Sequence, residues 1–229
     1  MAIELRQVGF GPNADVETQV DPTWSAARMS IKPMDYVMVG GVLGGHYAIN
    51  AISGTIAANI AANAQILQIR WADPSKLFIL KKLACQGATS TVFTSLFGAD
   101  VELIIGHGST ANGSGGTALA PTSISNRLRA TMAPTAFVTS GEIRIATTAA
   151  LTAATGQTLE PAGVGYGKAA PFATNLTLPK FNLYEQRDFG SHPLILVAGD
   201  TLVVRTPNPG TGGVWSVGFE MEWVESVAY

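Results

Sequence analysis

The chain is poor in cysteine, in charge and in long apolar runs, and each shortage removes a class of protein. Cys85 is the single cysteine among 229 residues, so neither an internal disulfide nor a C-x-x-C metal or redox pair exists. It ends an apolar run, where a thiol acts as a small buried hydrophobe rather than a nucleophile. Charged residues make up 13%, about half of the roughly 25% usual in soluble domains. Lys and Arg number 14 against 16 Asp and Glu, so there is no basic excess to leave a nucleic-acid footprint. No run of about 18 apolar residues is present, which argues against a membrane-spanning helix. The opening MAIELRQVGF carries charge where a signal peptide has its apolar core. The expectation is a product without a secretion signal, made and assembled in the cytoplasm of its cell.

What is present begins with the run Val214–Val224, VWSVGFEMEWV. Trp215, Val217, Phe219, Met221 and Trp223 alternate with Ser216, Gly218, Glu220 and Glu222. Period 2 puts one set in a core and the other in water, as in a strand; at 100° per residue the same apolar set would scatter round a helix. Each large aromatic buries roughly 150–250 Å². At roughly 25 cal/mol per Å² that is a few kcal/mol of gross stabilisation per ring, so this strand is predicted to be central.

Residues 1–45 hold Pro12, Pro22, Pro33 and several glycines, with large apolar side chains but no lasting period. An extended arm that becomes ordered on another surface fits this pattern, and so does a tail wrapped over its own domain. A short helix within Pro22–Met29 would have Asp21 as its N-cap and Pro22 at its first position. From residue 46 the chain reads as strands. Tyr47–Ile52 opens the series. Ala57–Ala64 is ambiguous between a strand and a helical turn. Ile66–Trp71 sets Leu67, Ile69 and Trp71 against Gln68 and Arg70. After the turn Ala72–Ser75 comes the near-continuous apolar run Lys76–Cys85, whose length and neighbours favour a strand while Lys81-Lys82 leaves a helix open, then Asp100–Gly106. The composition of Gly106–Ala120, GHGSTANGSGGTALA, predicts a flexible loop. Gly141–Thr147 is a further strand. Leu194–Val197 and Thr201–Thr206 flank a tight turn and lead through Pro207–Gly213 into the closing strand, which predicts a β-meander. About eight short strands with long connections favour an all-β, two-sheet β-sandwich, jelly-roll-like, with residues 46–229 as the sandwich and 1–45 as the extended N-terminal arm.

The search for chemistry finds isolated groups. His46, His107 and His192 have no histidine partner at metal spacing, so no metal is predicted. Gly106-His107-Gly108-Ser109 sets a histidine near a serine, but a glycine loop is a poor mount for an activated nucleophile. Gly163–Gly167 has the glycines of a phosphate loop without its G-K-[ST] ending. Glu220 and Glu222 fall on the outward face of the closing strand, where solvated carboxylates are the ordinary reading. No catalytic residue, no cofactor and no enzyme are expected.

Five stretches in order carry a resemblance: Ile69–Leu83, Gly115–Phe137, Ile143–Val164, His192–Pro209 and Gly212–Glu225. Their sequences are IRWADPSKLFILKKL, GGTALAPTSISNRLRATMAPTAF, IRIATTAALTAATGQTLEPAGV, HPLILVAGDTLVVRTPNP and GGVWSVGFEMEWVE. The succession resembles a group of tailed-bacteriophage virion proteins, whose pattern runs from R-W-x-D/S-x-x-x-L to a closing G-x-W-x-V-x-x-x-x-E-W strand. The resemblance spans residue 47 to the end and implies a jelly-roll-like cement or decoration protein on the capsid exterior. The partners it implies are the major capsid protein and further copies of the chain, as a dimer or trimer, with no nucleic acid and no membrane. Contact residues expected on this reading are Trp24, Met29, Met34 and Tyr36 of the arm, with Arg127 and Arg129. The alternative is a receptor- or carbohydrate-binding module of a tail or fibre, stacking sugars on Tyr166 and Phe172.

Overall fold

The computed structural model describes residues 18–20, 27–29, 44–58, 60–94, 98–122, 126–128, 132–170, 178–186 and 193–227. The chain divides into two compact units, Met1–Asp35 and Tyr36–Tyr229. In the first, β1 (Thr18–Val20) pairs antiparallel with β2 (Ala27–Met29), Thr18 opposite Met29. Ala27–Met29 is therefore strand, not the end of a helix from Pro22. Here the backbone groups bond across a strand pair, which overrides a local N-cap signal. Asp21 and Pro22, which carried that signal, lie outside the described residues.

The second unit runs through β3 (Gly44–Ile52), β4 (Ala64–Arg70), β5 (Leu77–Thr91), β6 (Ala99–His107), β7 (Thr117–Leu119), β8 (Glu142–Ile145), β9 (Thr158–Leu159), β10 (Gly165–Ala170), β11 (Phe181–Glu185), β12 (Leu194–Leu196), β13 (Thr201–Thr206) and β14 (Val214–Ser226). The one helical turn among the described residues is a 3-10 turn at Ala136–Val138. The first sheet has the order β10-β6-β13-β4-β8-β7, with β9 also on β6. The second has the order β11-β5-β14-β3, with β12 also on β5. All the pairings are antiparallel. The fold is the expected all-β two-sheet sandwich, with twelve strands among the described residues of this unit where about eight were expected.

Its centre is where the alternation of the closing strand placed it. β14 lies between β3 and β5, and Trp215, Val217, Phe219, Met221 and Trp223 are all buried. Trp223 stacks on Tyr47 at 5.5 Å and meets Phe137 edge-on at 5.7 Å, while Trp71 from the first sheet meets Phe137 at 5.1 Å. Offset and edge-on pairs are the geometries favoured by the ring quadrupole. Their polar atoms are satisfied: Trp71 Nε1 donates to Lys76 O at 2.8 Å and Tyr47 Oη to Ala133 O at 2.9 Å. On one flank the layers touch directly. A Cβ added at Gly87 of β5 would overlap the carbonyl of Ala169 on β10, so only glycine fits there.

Three expectations are corrected. The last forty residues are not a meander: β12 belongs to the second sheet, β13 to the first and β14 to the second. Ala198-Gly199-Asp200 reverses the chain as predicted, but a turn signal is local and does not say which sheet receives the next strand. Gly199 adopts φ +94°, and the corner is bonded to the end of β4 through Trp71 N to Asp200 O and Gly199 N to Trp71 O, each 2.9 Å. Second, Gly106–Ala120 is not a free loop. It begins in β6, ends in β7 and is bonded to 152–155, with Thr110 N to Thr155 O at 2.8 Å and Thr152 N to Ser114 O at 2.9 Å. Its glycines serve close approach: a Cβ at Gly113 would overlap Thr152 O and Gln68 Oε1. Third, the polar side of β4 is not in water. Gln65 and Gln68 are buried, Gln68 donating to Gln65 at 2.8 Å, Gln65 to Gln157 at 3.0 Å and Gln157 to Thr201 Oγ1 at 2.7 Å.

Candidate functional site

The alternation that fills the core with the odd positions of β14 leaves its even positions outward, and the register of the neighbours completes a grid. Ser216 lies opposite Ala88. Gly218 lies between Gln86 and Ile52, Glu220 between Ala84 and Asn50, and Glu222 between Lys82 and Ala48. The middle of this outer face is made of small side chains, so the sheet forms a shallow open depression of about 610 Å³ along β3, β14 and β5. Ile52 stands at its margin, 71% exposed. The charges collect at one end. Lys82 Nζ is 3.0 Å from Glu220 Oε1, Lys180 bonds the other oxygen of Glu220, and His46 Nε2 is 3.8 Å from Glu222. The hydrogen bonds from Lys180 and Lys82 hold the Glu220 carboxyl below its ordinary range, and the same bond to Glu220 raises the Lys82 ammonium. Cys85 lies beneath the depression, 1% exposed, and burial pushes its thiol up to about 12. It is the inert apolar thiol expected.

Two titratable clusters lie elsewhere. Glu225 is fully buried, because the inward parity of β14 continues one step past Trp223. Its carboxylate accepts from Thr135 Oγ1, from Ala136 N at 2.9 Å and from Trp223 Nε1 at 3.1 Å, with Lys76 Nζ at 3.7 Å. Burial raises its pKa and these donors oppose the rise. It fastens the 3-10 turn onto the end of β14. The sequence reading stopped at Trp223, yet parity alone would have placed Glu225 inside. At the end of β6, His107 Nδ1 is 2.8 Å from Asp200 Oδ1 and Nε2 is 2.9 Å from Glu160 Oε1. Both ring nitrogens are thus engaged by carboxylates, and the neighbouring Ser109 is buried with its hydroxyl not bonded to the ring. The His-Ser motif does not form a nucleophile–base pair. Among the described residues no group of His, Cys, Asp and Glu is arranged to hold a metal ion.

Of the contact residues expected from sequence, Arg127 is placed on the edge of β3. Its backbone bridges Tyr47, and its Nη1 donates to Met132 O at 2.7 Å. Met29 is the last residue of β2. Trp24, Met34, Tyr36 and Arg129 lie outside the described residues, as do Phe172 and His192. Tyr166 is on β10, 64% exposed, its hydroxyl bonded to Asp100. Sequence reasoning missed Asn50, Ile52, Gln86 and Lys180 as one surface, because their neighbourhood depends on which strands flank β14. The chain matches no protein-family model, no curated protein and no solved structure.

Proposed function

We propose that this chain is a structural virion protein that binds the capsid lattice of a tailed bacteriophage from outside, as a cement or decoration protein, through the outer face of its second sheet. One observation carries the reading: a shallow face of Ala88, Ser216, Gly218 and Ile52, with its charges at one end on Lys82, Lys180, Glu220 and Glu222. A centre poor in charge with a polar rim is the anatomy of a protein–protein contact. The resemblance of the ordered motifs to virion proteins supports the same reading, with the major capsid protein as partner and copies of the chain as neighbours. Many copies on a symmetric lattice bind by avidity, so each face needs only modest affinity.

The test is made on virions of the phage that encodes the chain. Quantitative mass spectrometry is expected to find hundreds of copies per particle; a handful would remove the lattice reading. Added to particles stripped of it, the Ala88→Arg variant is expected to stay folded and lose binding. A chain lacking residues 1–45 is expected to behave likewise if the arm anchors it. Undiminished binding by either variant would exclude that region as the contact. The second reading, a receptor- or carbohydrate-binding module of a tail or fibre, is favoured by the exposed ring of Tyr166 amid Asp100, Glu102 and Lys168. It expects the low copy number, and glycan binding lost in Tyr166→Ala.

A further inference from the structure

We propose that His107 is a protonation-operated clamp: as an imidazolium it ties the segment after β9 to the β12–β13 corner, and on losing its proton it releases Glu160. The argument is one of donor count. Ionised carboxylates only accept hydrogen bonds, and a neutral imidazole has a single N–H to give. His107 is bonded at both nitrogens, to Asp200 at 2.8 Å and to Glu160 at 2.9 Å, so both bonds exist together only when the ring carries two protons. The two carboxylates sit at opposite nitrogens of the ring, which suits a cation between them.

The geometry also says which bond goes. The Asp200 side chain is 14% exposed, its Oδ2 accepts from Val197 N at 3.0 Å, and its backbone is bonded to Trp71. The Glu160 side chain is 46% exposed and has no such second anchor shown. The proton therefore leaves Nε2, Nδ1–H stays on Asp200, and Glu160 turns to water. The segment is otherwise lightly held: β9 has two residues, paired to Gly106 and His107, followed by Glu160 N to Ile105 O at 2.8 Å, Gly163 N to Glu102 Oε1 at 3.1 Å and Val164 N to Leu103 O at 2.8 Å. Gln157, just before β9, carries the buried link between Gln65 and Thr201, so loosening here reaches the cover of the first sheet.

The charged groups that face the ring are Asp200 from the corner and Glu160 from the segment after β9, while Arg70 of β4 is bonded to the loop that follows His107. Arg70 Nη1 and Nη2 bond Asn112 Oδ1 and Ser109 O. From β8, Arg144 Nη1 bonds Gly115 O of the same loop. The hydrogen bond to Asp200 acts most strongly to raise the imidazole above its ordinary value; burial opposes it, and the bond to Glu160 and the charges of both carboxylates add to the rise. The sign follows. A folded-state value above the unfolded one gives a stabilisation that is complete below about 6.5 and is lost as pH rises through the raised value.

The experiment is hydrogen exchange on the full chain across pH 5–9, corrected for intrinsic exchange, alongside an NMR titration of the His107 ring. The ring is expected to titrate above the ordinary histidine value, with exchange at residues 158–164 rising several-fold through the same midpoint. His107→Gln should exchange at the fast rate at every pH. Glu160→Gln should lower the ring's midpoint and flatten the pH response while leaving the core amides of β14 protected. A ring that titrates at or below the ordinary value, a pH-independent exchange in the parent chain, or an unchanged response in Glu160→Gln would each overturn the clamp.

Discussion

The two sheets of the sandwich share a core but treat their outer faces differently. β4 is buried along both faces, and its polar side lies under residues 108–116 and 148–160 of the same chain. β14 alternates buried and half-buried through Glu222, and among the described residues its outer face meets, beyond its own sheet, the segment 178–180 through Lys180 on Glu220 and Leu178 O on Gln86. Among the described residues, one face is finished by the chain itself and the other is covered only at its edge. The finished face uses a buried glutamine chain, expensive unless every group is bonded. The bare face uses alanine, glycine and serine, which lose little whether covered or not. A surface built so cheaply in solution is suited to be covered by something else.

Substitutions matched across the two faces test this contrast. The largest effect is expected at glycine. Gly116 has φ +56° and a Cβ there would overlap Ile145 O, so Gly116→Ala combines left-handed strain with overpacking and should cost about 3 kcal/mol. Gly218, where a Cβ meets only ordinary contacts of 3.7 Å and beyond, should change by less than about 0.5 kcal/mol on the same substitution. Urea unfolding of both variants reads the difference directly; equal losses would erase the contrast. A smaller gap is expected for glutamine. Gln68→Ala strips a buried partner from Gln65 and should cost about 1–3 kcal/mol. Gln86→Ala, on the bare face with a single exposed bond to Leu178 O, should stay within about 0.5 kcal/mol. The smallest effect concerns acid. Glu220 has a lowered pKa, so its pairing with Lys180 and Lys82 stabilises above the ordinary carboxyl value of about 4.5 and fades as pH falls through the lowered one. These groups are exposed and screened, so a slight fall in Tm between pH 5 and 3 that is weaker in Lys180→Met is expected; a large one would mean the face is less open than its geometry shows.

The closing strand was legible because its alternation is unbroken and its inward residues are large. Period 2 fixes the face of every side chain once one is known; the reading stopped at Trp223, one step short of Glu225. The fate of Gly106–Ala120 was not legible. Its glycines read as freedom in isolation, whereas Gly113 and Gly116 are there because Thr152 O and Ile145 O come too close for a Cβ. Nor was the glutamine chain: Gln68 looked outward, which it is, but what lay over that face came from residues 108–116 and 148–160, far along the chain. The bare face was half legible. Glu220 and Glu222 were correctly set outside, while Asn50, Gln86 and Lys180 joined them only once β3, β5 and β14 were known to be neighbours. The same holds for His107, whose partners Glu160 and Asp200 lie 53 and 93 residues along the chain.

The position of β14 also sets an order of events at the ribosome. β3 and β5 are made early, yet they do not pair with each other; β14 lies between them and is made more than a hundred residues after β5. At roughly 5–20 residues per second the two strands wait on the order of ten seconds for the one that joins them. β11 and β12 reach one edge of β5 first, opposite Phe78, Leu80 and Leu83, but its other edge stands open to other nascent chains until β14 is made. The same strand that gives the finished fold its centre leaves the unfinished one with an open edge until the last residues are made.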